Sequence, residues 1–341
     1  MPVDFYASLT HYADHLDAVA DALGDQVGHR WYRFPGAFGP RWSQLPDRWS
    51  YDDGAPVVVA SWVDARHIAT AGRPVIYLEH GAGQTYPGDP ASADHPSYAG
   101  GADHQAVLYL CPSERVADRW RARYPRARVA VVGCPKLDPW HAVPFVPQVG
   151  SLTVALTFHW DCTLVPETRW ALPHYDGHLA AVVQGLADQG VRVIGHGHPR
   201  AVGKLRQVWD RVGIEHVADL GDVMDQAHVL VGDNTSALYE FASLDRPVVV
   251  LNAPWYRRHV HHGLRFWDLV PGVQVDHPDD LLAAIRDALG PDSGRASRQA
   301  AVDVVYAARD GHAAARAAAA IEETRQWLTK SRPMPTTSSG A

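Results

Sequence analysis

The sequence predicts an α/β protein made of two parallel-sheet halves that face a cleft. Three observations carry this. Short apolar runs rich in β-branched residues alternate with helical periodicity along most of the chain, and such runs are strands buried on both faces of a parallel sheet. Residues 228–251 read as a complete strand, turn, helix and strand. Residues 139–150 carry four breaks, Pro139, Pro144, Pro147 and Gly150, lack periodicity, and divide the alternation in two as an interdomain linker does.

Composition sets the outer limits. At 341 residues the chain exceeds one ordinary core, so two domains are expected. The formal net charge is -7 with no long basic run, which argues against nucleic acid and leaves at most peripheral membrane contact. Cys111, Cys134 and Cys162 are odd in number and form no CxxC pair, so reduced thiols and a cytoplasmic location are expected. No apolar run reaches the roughly 18 residues needed to span a bilayer, and the N-terminus has no signal-peptide pattern.

Taken in order, residues 6–27 show one helical period (Tyr12, Leu16, Val19, Ala20, Leu23). Residues 28–55 are rich in Trp, Arg, Pro and Gly and read as loop. Pro56–Ala60 is then the first strand. A helix over Ser61–Ala71 is stopped by Gly72-Arg-Pro74, and the strand Val75–Leu78 runs directly into Glu79-His80-Gly81-Ala-Gly-Gln84-Thr85. Residues 86–104 form a long loop. A strand over Ala106–Cys111, a helix from Ser113 to about Tyr124 and a strand over Arg128–Val132 complete the first half. The second half has strands at Leu152–Thr157, Val191–Ile194, Glu215–Asp219, Val229–Val231 and Val248–Leu251. Helices are expected over 176–189, 201–212, 236–244 and 278–289, with an Ala-rich helix ending near Lys330.

The unit around residue 233 is the chemical centre. Gly232-Asp-Asn-Thr235 is turn and N-cap chemistry between the run Val229-Leu-Val231 and a helix from Ser236. Arg246-Pro247 ends that helix, because proline restricts the residue before it. Ligands sit at the carboxyl ends of such strands, and a helix N-terminus there suits phosphate. Thr235 and Ser236 add hydroxyls, and Glu240, one turn beyond Ser236 on the same face, is placed for a ribose hydroxyl. The plain alternative is an ordinary βαβ unit with a capped helix and a solvated glutamate.

Two further clusters follow predicted strands: His80-Gly81 with Gln84 and Thr85, and His198-Pro199-Arg200. Other site classes are discounted on spacing. Gly81-x-Gly83-x-x-Tyr86 lacks the third glycine of a dinucleotide fingerprint, no GxxxxGK[ST] or GxSxG is present, and His196-x-His198 and His259-x-His261-His262 lack the Cys or carboxylate frame of a metal site.

At this point a family resemblance emerges. Val231-Gly-Asp-Asn-Thr-Ser-Ala-Leu-Tyr-Glu240 through Arg246-Pro247 resembles the closing signature T-D-Y-S-S-x-x-x-D-x-x-x-x-x-K-P of the CDP-glycerol glycerophosphotransferases, which include teichoic-acid primases and polymerases. Glu79-His80-Gly81 resembles their W-H-G-T-P-L-K, Ile194–Pro199 their strand ending in His-Pro, Gly133–Asp138 their G-x-P-R-x-D, and Asp310-Gly311 with Arg316 their D-G-x-x-x-x-R. There are departures: Ala82-Gly-Gln-Thr85 replaces T-P-L-K and loses its lysine, Asn234 replaces a tyrosine, and Glu240 an aspartate. A glutamate there also resembles the ribose-binding glutamate of nucleotide-sugar enzymes of the same fold.

The resemblance implies a GT-B fold: two Rossmann-like domains facing a central cleft, with the C-terminal helix packing back on the N-terminal domain. The expected divisions are an acceptor domain at 1–145, a nucleotide-donor domain at 146–311, the returning helix at 312–330 and a disordered tail at 331–341. It implies a transferase without metal or cofactor that moves a glycerophosphate-like group from a CDP-linked donor to a hydroxyl on a soluble or lipid-linked acceptor. His80 is then the general base; His198, Gly81, Arg200, Asp233, Asn234, Thr235, Ser236 and Glu240 hold the donor. Two alternatives stay open: a nucleotide-sugar glycosyltransferase and a non-catalytic nucleotide-sugar binding protein.

Overall fold

The computed structural model describes residues 2–36, 38–45, 54–82, 106–143, 152–163, 166–259 and 269–331. Gly83, Gln84, Thr85, His261, His262 and the tail from 332 lie outside them. Two parallel sheets form the frame. The first holds β1 (Val3–Ala7), β2 (Val27–Tyr32), β3 (Ser43–Gln44), β4 (Val57–Val59), β5 (Val75–Leu78), β6 (Leu108–Cys111) and β7 (Arg128–Val131), in the order β3-β2-β1-β4-β5-β6-β7. The second holds β8 (Thr153–Phe158), β9 (Arg192–Gly197), β10 (Glu215–His216), β11 (Val229–Gly232), β12 (Val248–Leu251) and β13 (Val273–Val275), in the order β10-β9-β8-β11-β12-β13.

Both orders reverse at one place, between β1 and β4 in the first sheet and between β8 and β11 in the second. In doubly wound sheets ligands bind outside the carboxyl ends at that reversal. The reversal therefore selects the Ala7–Thr10 and Ala60–Ser61 turns in one domain and the His159 and Asp233 turns in the other.

Several expectations need correction. The helix expected over 6–27 is Thr10–Leu23, with its ends trimmed: Tyr6 and Ala7 belong to β1, which was not expected, and Val27 opens β2, which with β3 occupies the stretch read as loop. Val3–Ala7 is buried on every residue, so it carries no alternation, and a run of five is too short for periodicity to separate it from a helix. β2 hides its character among Gly28, His29 and Arg30, because Arg30 folds over the helix face to Asp17 and Asp21. β9 runs on to Gly197 and takes His196 into the sheet. The helix expected over 236–244 is Ala237–Ala242. β13 and the helix Arg295–Val305 add elements that the periodicity did not mark.

The last helix, Ala313–Ser331, returns to the N-terminal domain. Ala317 and Ile321 are fully buried there beside Leu16, Ile76 and Leu78, and burying one such isoleucine contributes about 1.5–3 kcal/mol. Two motifs join at its start. Asp138 accepts from the amides of Ala313 (2.9 Å) and Ala314 (2.7 Å), satisfying two orphan N–H groups and placing a carboxylate on the helix N-terminus. Arg316 donates to the Val132 carbonyl at 2.9 Å and to Asp310 at 2.8 Å. Gly133, at φ +88°, leaves no room for a Cβ, which would stand 3.1 Å from the Ala308 carbonyl and 3.2 Å from Ala313.

Candidate functional site

The turn after β5 delivers His80 and Gly81. Glu79 just before them is spent on structure: its carboxylate accepts from Trp120 Nε1 at 2.8 Å and from Arg119 at 3.0 Å. His80 packs edge-on to Tyr12, with ring centroids 5.1 Å apart, and His15 lies 6.1 Å away. Gly81 takes φ +63°, and a Cβ there would lie 2.6 Å from Ser236 Oγ and 2.8 Å from its Cβ. The N-terminal turn is thus pressed against the start of the helix Ala237–Ala242 in the other domain, and only glycine allows that approach.

The turn after β9 delivers His198. Its amide donates to the Phe158 carbonyl at 3.0 Å, which sets it beside the end of β8. Its Nδ1 accepts from the Arg200 amide at 3.2 Å, so the ring proton sits on Nε2, which is left as a donor. Arg200 lies over the Trp160 ring at 4.9 Å. His198 stands between His11 and His159, each with its centroid 5.1 Å away. Burial first, then His159, His11, Arg200 and His80, push the His198 pKa far below the usual imidazole range, so the ring is neutral. His80 is shifted down by burial as well, while Glu79 works against that shift.

The turn after β11 holds the remaining candidates, and they divide. Asp233 is fully buried, and its two carboxylate oxygens accept from the amides of His159 and Ala171, both at 2.8 Å. Burial raises its pKa to about 7 against the pull of those amides. The Asn234 amide nitrogen donates to the carbonyls of Glu167 and Arg169. Both side chains therefore tie down the stretch from 159 to 171 rather than lining the cleft. Thr235 Oγ1 accepts from the Ala237 amide at 3.3 Å. The Ser236 hydroxyl makes no capping hydrogen bond and faces Gly81. Glu240, buried in the same helix, is 2.6 Å from Lys136 Nζ.

The structure also brings in residues that the sequence reading passed over. His11 and His15, one helical turn apart on Thr10–Leu23, reach the cleft because β1 ends at the sheet reversal; the strand before the helix was not expected, which concealed this. Lys136 comes from the turn Pro135–Leu137, and the G-x-P-K-x-D pattern was the signal that could have found it. His159 follows β8, and its Nδ1 donates to the carbonyls of Trp160 (3.0 Å) and Thr168 (3.3 Å). His196 belongs to the core instead: it is buried and 2.9 Å from Thr157 Oγ1. His259 is exposed. Among the described residues, no three His, Cys, Asp or Glu side chains gather as a metal site would require.

Two parallel-sheet domains, a cleft lined from both, and a final helix returning to the first define the GT-B architecture. Solved structures share it. The chain is similar to a wall teichoic acid polymerase, TagF (10% identity, 96% of this chain and 89% of that one, TM-score 0.66). It is similar too to a putative UDP-N-acetylglucosamine 2-epimerase from Listeria monocytogenes (12% identity, 96% and 97% covered, TM-score 0.63). A third is MnaA of S. aureus in a structure with UDP (12%, 97% and 98%, 0.63). No curated protein sequence matches the chain. Residues 178–323 match the family described as CDP-Glycerol:Poly(glycerophosphate) glycerophosphotransferase. That match lies in the second half of the chain and agrees with the motifs read there.

Proposed function

We propose that this transferase moves a glycerophosphate-like group from a CDP-linked donor to an acceptor hydroxyl, in the cytoplasm and without a metal. The observation that supports the reading is the approach of the His80-Gly81 turn to Ser236 in the other domain, with His11 of the N-terminal domain packed against the His198 ring. His80, neutral, takes the proton of the acceptor hydroxyl, a role suited to an imidazole. His198, through Nε2–H, and Arg200 and Ser236 donate to the donor's phosphate oxygens and stabilise the charge that grows on them. Asp233 and Asn234 serve by fixing the loop that carries His159, and Thr235 by closing the turn before Ser236. Glu240 accepts from the donor's ribose. The acceptor is a soluble or lipid-linked hydroxyl; among the described residues, no helix is long and apolar enough to cross a membrane.

Glu240 supports a second reading, transfer of a sugar from a nucleotide-sugar donor at the same phosphate site. A thermal-shift series with CDP-, UDP-, GDP- and dTDP-linked donors tests the choice, because a ligand bound only by the folded state raises the melting point. The primary reading expects the largest rise with CDP-glycerol. A rise with UDP-sugars alone supports the second reading, and no rise with any donor overturns both.

A further inference from the structure

We propose that the Lys136 ammonium is part of the phosphate subsite, and that Glu240 masks it until the sugar hydroxyls of the donor take over the Glu240 carboxylate. The inference deepens the reading above and rests on it.

The two side chains come from different domains. Lys136 sits on the turn after β7, and Glu240 in the first turn of Ala237–Ala242. The Glu240 side chain is 3% exposed and that of Lys136 16%, so the carboxylate is the more deeply buried partner. An ionised carboxylate has room for about four hydrogen bonds. Glu240 Oε2 has no hydrogen-bond partner beyond the lysine contact among the described residues. Among the described residues, both oxygens of each other buried carboxylate of this domain are held by N–H donors. Glu167 takes the backbone amide of Arg257 together with its Nε and Nη2, and Asp233 takes two backbone amides. Among these three, Glu240 is the one with an oxygen that only the lysine meets.

The ammonium is in a matching position. It has three donors, and its turn packs on the helix Thr10–Leu23, which carries His11 and His15. Glu240 Oε1 is 3.6 Å from where a Gly81 Cβ would be, beside the Ser236 hydroxyl. Carboxylate and ammonium therefore border one space. A ribose diol brings two O–H donors for the carboxylate, and a pyrophosphate brings oxygens for the ammonium. A ligand carrying both satisfies each partner of the ion pair as it separates them. A ligand carrying phosphate alone must take the lysine from Glu240 and leave a buried carboxylate uncompensated, which is unfavourable.

Inorganic pyrophosphate, which has no diol, is the probe. Its affinity is measured by titration calorimetry for the wild type, Glu240→Gln, Glu240→Gln/Lys136→Met and Glu240→Gln/Lys136→Arg, with melting curves to confirm folding. Unmasking predicts that Glu240→Gln binds pyrophosphate about 10-fold more tightly or better. The gain is kept with arginine at 136 and lost with methionine. Equal or weaker binding by Glu240→Gln overturns the inference, as does an undiminished gain in the methionine variant, for then Lys136 only neutralises Glu240. The readout uses no nucleotide. The expected pattern together with absent turnover of CDP-linked donors refutes the functional reading and leaves the anion subsite standing; turnover of such donors with a flat pyrophosphate series does the reverse.

Discussion

Lys136 and Glu240 meet at 2.6 Å across the cleft, one from each domain. Burial opposes the charge on Lys136, and the Glu240 carboxylate more than offsets it, so its pKa moves up. Such a pair is asymmetric in energy: removing one partner strands the other charge. Lys136→Met is expected to lower stability by about 3 kcal/mol, the lower end of the range for a buried pair, because the ammonium keeps some solvent. Adding Glu240→Gln should restore most of it. Urea titration of the single and double variants checks this.

Gly81 supplies a steric test of the same closure. Alanine there meets Ser236 Oγ at 2.6 Å and must hold a left-handed backbone, itself unfavourable by about 1–2 kcal/mol. Gly81→Ala should lower the melting point, and Ser236→Gly in that background should recover the steric part while leaving the backbone part. No recovery in the double variant would show that the domains do not press together at this point.

His80→Ala is expected to reduce turnover by roughly 10²–10⁴-fold, the range for loss of a general base, with little change in donor affinity. Single-turnover rates at saturating donor measure it. A variant that keeps wild-type turnover removes His80 from the chemistry.

The imidazole cluster predicts acid sensitivity. Burial, then His80, Arg200, Lys136 and His159, lower the His11 pKa from 6.5 to about 3. The folded-state value is below the unfolded one, so unfolding takes up protons. Stability is fully present above pH 6.5 and is lost as the pH falls toward 3. His80 and His198 act in the same direction. Melting points recorded downward from pH 6.5 should fall less steeply for His11→Asn than for the wild type.

Much of this was legible in the chain. Val75–Leu78 and Val248–Leu251 were found to the residue, because buried parallel strands are unbroken apolar runs. Ser61 and Ser113 marked helix starts by capping Asp64 and Val116. The N-terminal strands were not legible. β1 is short and wholly buried, Asp4 included, and β2 draws its partners from the helix Thr10–Leu23 across the fold. Of the candidate site, the positions of His80, His198 and Ser236 after strands were legible. The site was not legible where function depends on packing: whether Asp233 faces a ligand or the amides of His159 and Ala171 is decided by a loop 62 residues or more away in sequence. His11 and Lys136 enter only through the sheet order and the meeting of the two domains.

The central claim is that a phospho-alditol group passes from a CDP-linked donor to a hydroxyl at His80. The most direct measurement is the nucleotide released when the protein turns over CDP-glycerol with a hydroxyl acceptor, resolved by anion-exchange chromatography. The account predicts CMP, at a rate that His80→Ala suppresses. Release of a nucleoside diphosphate from a sugar donor, or no nucleotide release from CDP-glycerol, would contradict it.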